Sequence, residues 1–362
     1  MKTQDDLQNI AARFDIRGRV LAVEPLGNGL INDTFKVTTD GPDAYVLQRI
    51  NNDIFKDVAL LQHNIGAVTH HIRGKLAGDP DIDRKVLTFL PLKDTAQTWY
   101  EAEDATFWRL SVFIRGARTH ETVDTESSYR AGKAFGQFEA MLADIPDPIG
   151  ETIPDFHNME LRARQLHEAV ATDAAGRMAD PAVRALVDEI TACEEEMCKA
   201  ERMHREGILP KRICHCDTKV NNMMMDDEGN VLCVIDLDTV MPSFVFSDFG
   251  DFLRTAGNTG AEDDPNLDNV RFNMDIFRAF AKGYVESAGV FLTPVERENL
   301  PYAALLFPYM QTVRFLADYI NGDTYYKIKY PEHNWVRSLA QWKLFCSARA
   351  CLPQMTEYLT TL

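Results

Sequence analysis

The 362-residue sequence contains no apolar run of about 18 residues, so we expect no transmembrane helix. Its first 16 residues, MKTQDDLQNIAARFDI, carry charges where a secretory signal peptide would be apolar. Internal repeats and low-complexity linkers are also missing. Together these absences favour a cytoplasmic protein that does not act on a membrane.

Clusters of Lys or Arg are missing as well. The formal net charge is −17 and the pI is about 5.0. A protein that binds nucleic acid needs a basic face for the phosphate backbone, so we do not expect nucleic acid as a partner. The acidity mainly favours solubility.

The seven cysteines are an odd number and show no disulfide framework. Cys214, His215 and Cys216 are consecutive, but neighbours on an extended segment point to opposite faces and cannot all bind one ion. Cys193 and Cys198 lie five residues apart in a charged, helical segment, which does not suit a metal pair at i and i+4. A structural zinc site is therefore not expected.

A hydrophobic fraction of 45% allows a large core and suggests two lobes. Apolar and polar residues alternate from residue 20 to 51, around Gly27-Asn28-Gly29 and Asp40-Gly41-Pro42. This pattern predicts three antiparallel strands joined by hairpins. Residues 85–116 predict further strands, in KVLTFLP, QTWYEA and ATFWRLSVFIRG.

From residue 127 onward the apolar spacing is helical. Pro181–Glu206 is predicted to be one long helix, and Pro308 and Pro353 are expected to kink or split two later helices. The predicted fold is therefore α+β, with a small antiparallel β lobe at residues 1–115 and a larger helical lobe at residues 116–362. This is the layout of a kinase.

Residues 213–251 carry several acids and one amide at spacings that suggest an active site. Asp217 follows His215 by two residues, Asn222 follows Asp217 by five, and Asp236 ends the apolar run 231–235. Phosphoryl transfer needs a carboxylate for the attacking hydroxyl and oxygen ligands for magnesium. Any one of these residues alone would more often be a turn or cap residue, but the ordered set predicts a kinase active site.

The nucleotide side is less regular. Gly27 and Gly29 could let the backbone approach phosphates, although a Gly-Asn-Gly hairpin turn is at least as common. The third strand has Gln48 and Arg49 where a kinase has a phosphate-binding lysine: Arg49 keeps the charge, whereas Gln48 matches the usual register better. The next helix, residues 58–76, has no acid to pair with such a lysine.

The motifs GNGLIND, YVLQRINNDIF, HCDTKVNN, IDLDTVMP, FSDFGD and RFLADYINGDTYY resemble the aminoglycoside phosphotransferase and choline kinase group. Within that group they are most similar to the bacterial N-acetylhexosamine 1-kinases. The resemblance covers most of the chain and implies a protein-kinase-like bilobal fold. It implies that Asp217 is the catalytic base, that Asn222 and Asp236 hold magnesium, and that His215 and Asp248 support the catalytic loop.

The strand pattern indicates the nucleotide contacts, and the resemblance bears on the acceptor contacts. Residues expected to contact ATP, including a hinge at residues 113–116, are Gly27, Gly29, Asn32, Gln48, Arg49, Phe113 and Arg115. Residues expected to contact the acceptor sugar are Arg254, Thr255, Arg314 and Tyr325. For the last two an alternative stays open, since Arg314 could pair with an acid in the core and Tyr325 could simply pack. The chain departs from the pattern at Cys216, Gly66 and Thr255.

The expected function is that of an ATP- and Mg²⁺-dependent kinase of the anomeric C1 hydroxyl of a hexose or N-acetylhexosamine. An alternative is a kinase of an aminoalcohol, an aminoglycoside or another small hydroxyl compound, with aromatic residues around a cation. A third possibility is a nucleotide-binding regulator without catalysis, which the missing Lys–Glu pair favours. A monomer and a homodimer are both compatible with the sequence.

Overall fold

The structure, a computed structural model, describes residues 2–27, 32–119 and 123–362. The chain divides into two compact units that alternate along the sequence. The first comprises Met1–Thr119, Asp144–Pro154 and Met223–Met241, and the second comprises His120–Ala143, Asp155–Asn222 and Pro242–Leu362. The predicted lobe boundary after residue 115 stays a prediction.

Helices and strands are numbered in chain order over the described ranges. The helices are α1 Gln4–Ala11, α2 Val58–Lys75, α3 Ile82–Lys85, α4 Thr125–Leu142, α5 Met159–Thr172, α6 Pro181–Thr191, α7 Glu194–Met197, α8 Lys199–Arg205, α9 Phe246–Ala256, α10 Met274–Ala288, α11 Pro294–Glu298, α12 Leu300–Ile320, α13 His333–Ala350 and α14 Leu352–Thr360. The strands are β1 Val20–Pro25, β2 Asp33–Thr39, β3 Ala44–Ile50, β4 Trp99–Glu101, β5 Phe107–Val112, β6 Arg212–Cys214, β7 Met223–Met225, β8 Val231–Val234 and β9 Met241–Ser243.

The first unit is built on an antiparallel sheet with the strand order β1-β2-β3-β5-β4. The period-2 apolar pattern of the sequence becomes one buried face, which packs with α1. Gln48 on β3 lies opposite Arg109 on β5, so both side chains are on the same face of the sheet. The three predicted N-terminal strands are confirmed.

The prediction of a strand in KVLTFLP is wrong. Lys85 ends α3, and the rest makes only an isolated bridge from Phe89 to Ser111. A strand in this segment would have to pair with β5, but β4 already pairs with residues 107–109 of β5. Only the far end of β5 remains, where Leu90 N–H donates to Leu110 O and Val112 N–H donates to Thr88 O.

The second unit is helical, and its core surrounds α12, most of whose residues are buried. The predicted single helix 181–206 is wrong, since it divides into α6, α7 and α8. Two hydroxyl groups of α12 donate to backbone carbonyls of this segment: Tyr309 Oη donates to Ile190 O at 2.9 Å, and Tyr302 Oη donates to Met197 O at 2.6 Å. These bonds attach Ile190 and Met197, near the ends of α6 and α7, to α12.

The two prolines behave differently. Pro353 lies in the first turn of α14, so the predicted split there is confirmed. The predicted kink or split at Pro308 did not produce a helix end, since α12 continues from Leu300 to Ile320. Burial on all sides holds this helix together, and the break falls instead at Asn299, before Pro301.

The predicted α+β fold is confirmed, with a small antiparallel sheet followed by a larger, mainly helical part. Among the described residues, even the apolar α12 does not meet the length and hydropathy required of a membrane-spanning helix.

Helices α4 and α10 approach each other closely at two glycines. A Cβ on Gly132 would lie 2.2 Å from Phe280 O, and a Cβ on Gly283 would lie 2.1 Å from Tyr129 O. We expect Gly132→Ala and Gly283→Ala each to lower the free energy of unfolding by about 1–3 kcal/mol, because the helix backbones must separate. Urea denaturation at equilibrium measures this.

Gly66 on α2 is the matched control, since a Cβ there meets no atom within 4 Å. Gly66→Ala should leave the free energy of unfolding unchanged or raise it by up to about 1 kcal/mol. Equal effects at Gly66 and Gly132 would show that helix propensity, not close packing, decides the outcome.

Candidate active site

The loop after β6 is held by one buried carboxylate. Asp248, in the first turn of α9, accepts the backbone N–H of His215 and of Cys216, both at 2.7 Å. Thr218 Oγ1 donates to the backbone carbonyl of the same aspartate at 2.7 Å. Burial raises the pKa of Asp248, while His215 and the two N–H donors act in the opposite direction. The backbone of the loop is therefore tied to α9 at three points.

His215 supports the loop from below. Its buried ring is in edge contact with Phe135 and Phe138 of α4, and its Nδ1 accepts the backbone N–H of Asp217 at 3.3 Å. The ring thus holds the backbone of Asp217, the candidate base, through its Nδ1 atom.

Two residues of the predicted motif are in the left-handed region. Cys216 has φ 63° and Asp236 has φ 58°. For a residue with a Cβ this conformation costs roughly 1–2 kcal/mol, and it persists only where the surroundings impose it. Cys216 adopts this conformation between His215 and Asp217, where the Asp248 carboxylate holds the backbone.

The candidate base has two neighbours in its own loop. Lys219 Nζ lies 2.7 Å from Asp217 Oδ1, and Asn222 Nδ2 donates to Asp217 O at 2.7 Å and to its Oδ2 at 3.2 Å. Burial would lower the pKa of Lys219, but Asp217 and Asp251 outweigh it and raise that pKa. Since both amide hydrogens of Asn222 point to Asp217, its Oδ1 is the atom left for a hard cation.

A second layer of polar groups lies under the loop. Oxygen and sulfur atoms of Glu139, Cys214 and Asp248 are within 4.8 Å of one another. Burial, followed by the Asp248 carboxylate, raises the pKa of Glu139 well above its usual range. Tyr284 Oη donates to Glu139 Oε2, the Cys214 thiol donates to Phe244 O, and Asp248 accepts two N–H groups, whereas the buried Glu139 Oε1 has no hydrogen-bond partner among the described residues.

In the first unit, the two candidates of β3 have different surroundings. Arg49 is exposed and its Nη1 lies 3.3 Å from Asp33 Oδ2. Gln48 is partly buried, donates to Thr34 Oγ1 at 3.3 Å, and accepts from Arg109 Nε at 2.9 Å. Gln48 is thus part of an internal polar cluster, whereas Arg49 is a surface residue.

The centre of that cluster is a buried ion pair between Arg109 Nη1 and Asp238 Oδ1. Asn32 Nδ2 donates to Asp238 Oδ2 at 2.7 Å, and Thr152 Oγ1 donates to Asp238 O at 2.9 Å. The predicted magnesium ligand Asp236 belongs to the same unit and precedes Asp238 by two residues.

The remaining nucleotide candidates lie in the first unit as well. Gly27 has φ 69°, as the glycine of a tight turn would, and Gly29 lies outside the described residues. Phe113 N–H donates to Ala44 O, and the Arg115 guanidinium donates to Pro42 O. Residues 113–116 thus continue from the end of β5, and their contact with a nucleotide stays a prediction.

Two of the acceptor candidates line one cavity of about 370 Å³ in the second unit, together with Arg162, Gln165, Glu168, Ala169, Thr172, Ala317, Asp318, Asn321, Thr324 and Tyr326. Arg314 lies over the rings of Phe156 and Tyr326, at 5.7 and 5.6 Å, and donates to Gln311 Oε1. Tyr325 is 71% exposed. Within the described ranges, Arg314 has no carboxylate partner, and Tyr325 does not pack in the core.

The wall of the cavity depends on Asp318. This carboxylate accepts the backbone N–H of Thr324, Tyr325 and Tyr326 at 2.8–3.0 Å, and Asn334 Nδ2 at 2.9 Å. Four donors therefore fix the segment after α12 and orient its two tyrosines.

The other two acceptor candidates, Arg254 and Thr255, are on α9 and do not line this cavity. Arg254 is buried and pairs with Asp251 at 2.9 Å and Glu262 at 2.7 Å. Burial would lower its pKa, but the two carboxylates raise it. Thr255 Oγ1 donates to carbonyls of its own helix. Substrate contact by either residue stays a prediction.

A family model described as the phosphotransferase enzyme family (APH) matches residues 22–286, well over half of the chain. The chain belongs to this phosphotransferase family. The match includes most of the sheet of the first unit, the loop with Asp217 and helix α9, whereas the motif RFLADYINGDTYY at residues 314–326 lies beyond it.

Three solved structures are similar to this phosphotransferase over their whole length. An aminoglycoside phosphotransferase from Alicyclobacillus acidocaldarius has a TM-score of 0.64 at 14% identity, covering 98% of this chain and 96% of that one. A spectinomycin phosphotransferase bound to ADP and spectinomycin gives 0.56 at 12%, covering 100% and 99%. A choline/ethanolamine kinase family protein from Mesorhizobium loti gives 0.53 at 15%, covering 94% and 92%. These likenesses confirm the protein-kinase-like fold.

Sequence reasoning missed four residues of the phosphotransferase that the geometry brings forward. Lys219 stands inside the quoted motif HCDTKVNN, and Asp238 follows Asp236 by two residues, so both were within reach. Arg109 is the one charge in the strand pattern TFWRLSVFI, and Glu139 is an acid on the apolar face of α4. Their partners, however, are distant in sequence.

We expect Asp248→Asn to lower both stability and turnover of the phosphotransferase. The amide offers one acceptor oxygen to two N–H groups, so one buried N–H loses its partner, at a cost of about 1–3 kcal/mol. Thermal unfolding and phosphoryl transfer measure the two effects. Asp188→Asn, on the exposed face of α6, is the control and should stay within about 0.5 kcal/mol of the wild type. An unchanged Asp248→Asn variant would contradict a supporting role.

Proposed function

We propose that the protein is an ATP- and Mg²⁺-dependent small-molecule kinase that phosphorylates the anomeric hydroxyl of a hexose or N-acetylhexosamine. The observation that carries the kinase part is the Asp217 carboxylate held beside Lys219 and Asn222 in a loop that Asp248 fixes. The cavity supports the sugar part, because it is lined by Arg314 and Tyr325, two residues for which the resemblance to N-acetylhexosamine kinases implies sugar contact.

Asp217 would hydrogen-bond the acceptor hydroxyl, orient it and take its proton as the bond to phosphorus forms. An anomeric hydroxyl is more acidic than an ordinary alcohol, so a carboxylate is a sufficient base. The ion pair with Lys219 and the amide bond from Asn222 restrict the carboxylate before the acceptor binds. Transfer is then direct and needs no phosphorylated enzyme.

Asn222 and Asp236 are the proposed magnesium ligands, and their chemistry fits a hard cation. Both offer oxygen, and Asn222 commits its nitrogen to Asp217. When bound, magnesium neutralises charge on the phosphates during transfer. The amicoumacin kinase structure, which contains AMP-PNP and Ca²⁺, is a solved neighbour with a TM-score of 0.54 at 12% identity.

The lining of the cavity favours a sugar over a cationic acceptor. Its volume is within the range of small-molecule sites, about 300–1,000 Å³, and its wall combines tyrosines with amide, hydroxyl, guanidinium and carboxylate groups. The guanidinium groups of Arg162 and Arg314 match the carboxylates of Glu168 and Asp318 in number, so the lining has no excess negative charge to attract a cation. Tyr319 and Trp335, which could have formed an aromatic cage, stack on each other, and the Arg177 guanidinium lies 3.9 Å from the Tyr319 ring centroid.

We expect Asp217→Asn to lower turnover by about 10²–10⁴-fold, since the amide cannot accept the proton. ADP release with a saturating acceptor measures the rate, and calorimetry should show ATP binding close to that of the wild type. The control is Asp226→Asn, in the turn between β7 and β8. Turnover near the wild-type rate in Asp217→Asn would reject this base.

A panel of acceptors tests the substrate class. With ATP and Mg²⁺, we expect ADP release with at least one of GlcNAc, GalNAc, glucose and galactose, and little with choline or an aminoglycoside. Loss of the reducing end in the product would place the phosphate on C1. Turnover of the amines alone would reject the sugar assignment and keep the kinase, whereas no Mg²⁺-dependent turnover with any acceptor would favour a regulator.

A further inference from the structure

The nucleotide side lacks the two charges on which kinases rely. In protein kinases a lysine of the third strand binds the ATP phosphates and pairs with a glutamate of the following helix. Here β3 offers Gln48 and the exposed Arg49, and α2 contains no acid. Helix α2 is instead attached through the amide of Asn64, which donates to Gly150 O at 2.8 Å and Val240 O at 3.1 Å.

Arg109 supplies a positive charge from the neighbouring strand. It lies directly opposite Gln48 in the β3–β5 register, and its Nε donates to Gln48 Oε1 at 2.9 Å. Its Nη1 pairs with Asp238, and its side chain is 2% exposed. In the part of the chain that the structure describes, its third nitrogen, Nη2, has no hydrogen-bond partner.

Asp238 supplies the matching acid from the segment after β8. Its carboxylate also accepts from Asn32, whose own Oδ1 accepts the backbone N–H of Asn51 at 2.9 Å. The carboxylate is therefore bonded directly to Arg109 of β5 and to Asn32 before β2, and it is linked to the end of β3 through the Asn32 side chain. Asn32 belongs to the GNGLIND segment, which the sequence singles out for nucleotide contact.

A buried ion pair is a poor way to gain stability alone, because desolvation of the two charges offsets most of their attraction. Arg109 and Asp238 are 2% and 4% exposed, so this offset applies to them. A guanidinium fits a different purpose, since its planar fork can bond Gln48 and Asp238 and still offer Nη2 to a phosphate oxygen.

We propose that Arg109 binds the phosphates of the nucleotide, in place of the missing lysine of β3, and that Asp238 positions it, in place of the missing glutamate of α2. The inference rests on the use of ATP in the proposed function. Gln48 is then a spacer that holds the guanidinium at its Nε side. Arg49, which is 45% exposed and paired with Asp33, is not required for the phosphates.

The test compares binding of ATP, ADP and AMP to the full-length protein by calorimetry, without an acceptor. In Arg109→Met, we expect the ATP affinity to fall at least about tenfold and the AMP affinity to fall less than about threefold, because the lost partner contacts the terminal phosphates. Arg109→Lys keeps a charge and should recover part of the ATP affinity. Arg109→Lys also provides the comparison if Arg109→Met does not fold.

Arg212→Met is the matched control. Arg212 forms a comparable ion pair with the buried Glu296, at 2.8 and 3.0 Å, in the other unit. Its loss should lower the melting temperature and leave the ratio of ATP to AMP affinity unchanged. A purely structural role predicts that Arg109→Met behaves in the same way, and that result would overturn the proposal. A selective loss of ATP affinity in Arg49→Met, with none in Arg109→Met, would overturn it too.

The outcome is separable from the identity of the acceptor, since binding is measured without one. A wild-type protein that binds ATP but phosphorylates no sugar would reject only the sugar assignment. A wild-type protein that binds no ATP would reject both the kinase function and the role of Arg109.

Discussion

The pair of hydrogen bonds from His215 and Cys216 to the Asp248 carboxylate is the constraint on which the loop that carries Asp217 depends. A buried carboxylate costs free energy unless donors surround it, and here backbone N–H groups of the loop itself supply them. The same bonds hold Cys216 in a left-handed conformation that it would not adopt alone. The same hydrogen bonds thus stabilise the buried carboxylate and set the backbone geometry next to the candidate base.

The rest of the second unit makes that arrangement rigid. Gly132 and Gly283 let α4 and α10 approach closely, and α4 carries the phenyl rings that contact His215. Glu139 on the same helix lies against Asp248, and burial raises its pKa. Only the His215 ring therefore lies between the phenyl rings of α4 and the backbone of Asp217.

The first unit has its buried ion pair at positions other than the third strand and the following helix that protein kinases use. A phosphate site needs a cation, and a buried cation needs an acid, but neither has to come from a fixed strand or helix. Antiparallel pairing places β5 beside β3, so a guanidinium on β5 reaches the same face of the sheet as a lysine on β3 would. In the role proposed for them, Arg109 and Asp238 would supply this cation and this acid from β5 and from the segment after β8.

The sequence alone was sufficient to predict the α+β fold, the first three strands and the motif around Asp217, because period-2 alternation and short-range spacing are local properties. It did not predict the division of residues 181–206 into three helices, two of which bond to the Tyr302 and Tyr309 hydroxyls of α12, more than 100 residues away. It also left open whether Gln48 or Arg49 takes part in the polar cluster. The tertiary structure settles this, because pairing of β3 with β5 places Gln48 opposite Arg109, 61 residues away, and Arg109 in turn bonds to Asp238, 129 residues further along the chain.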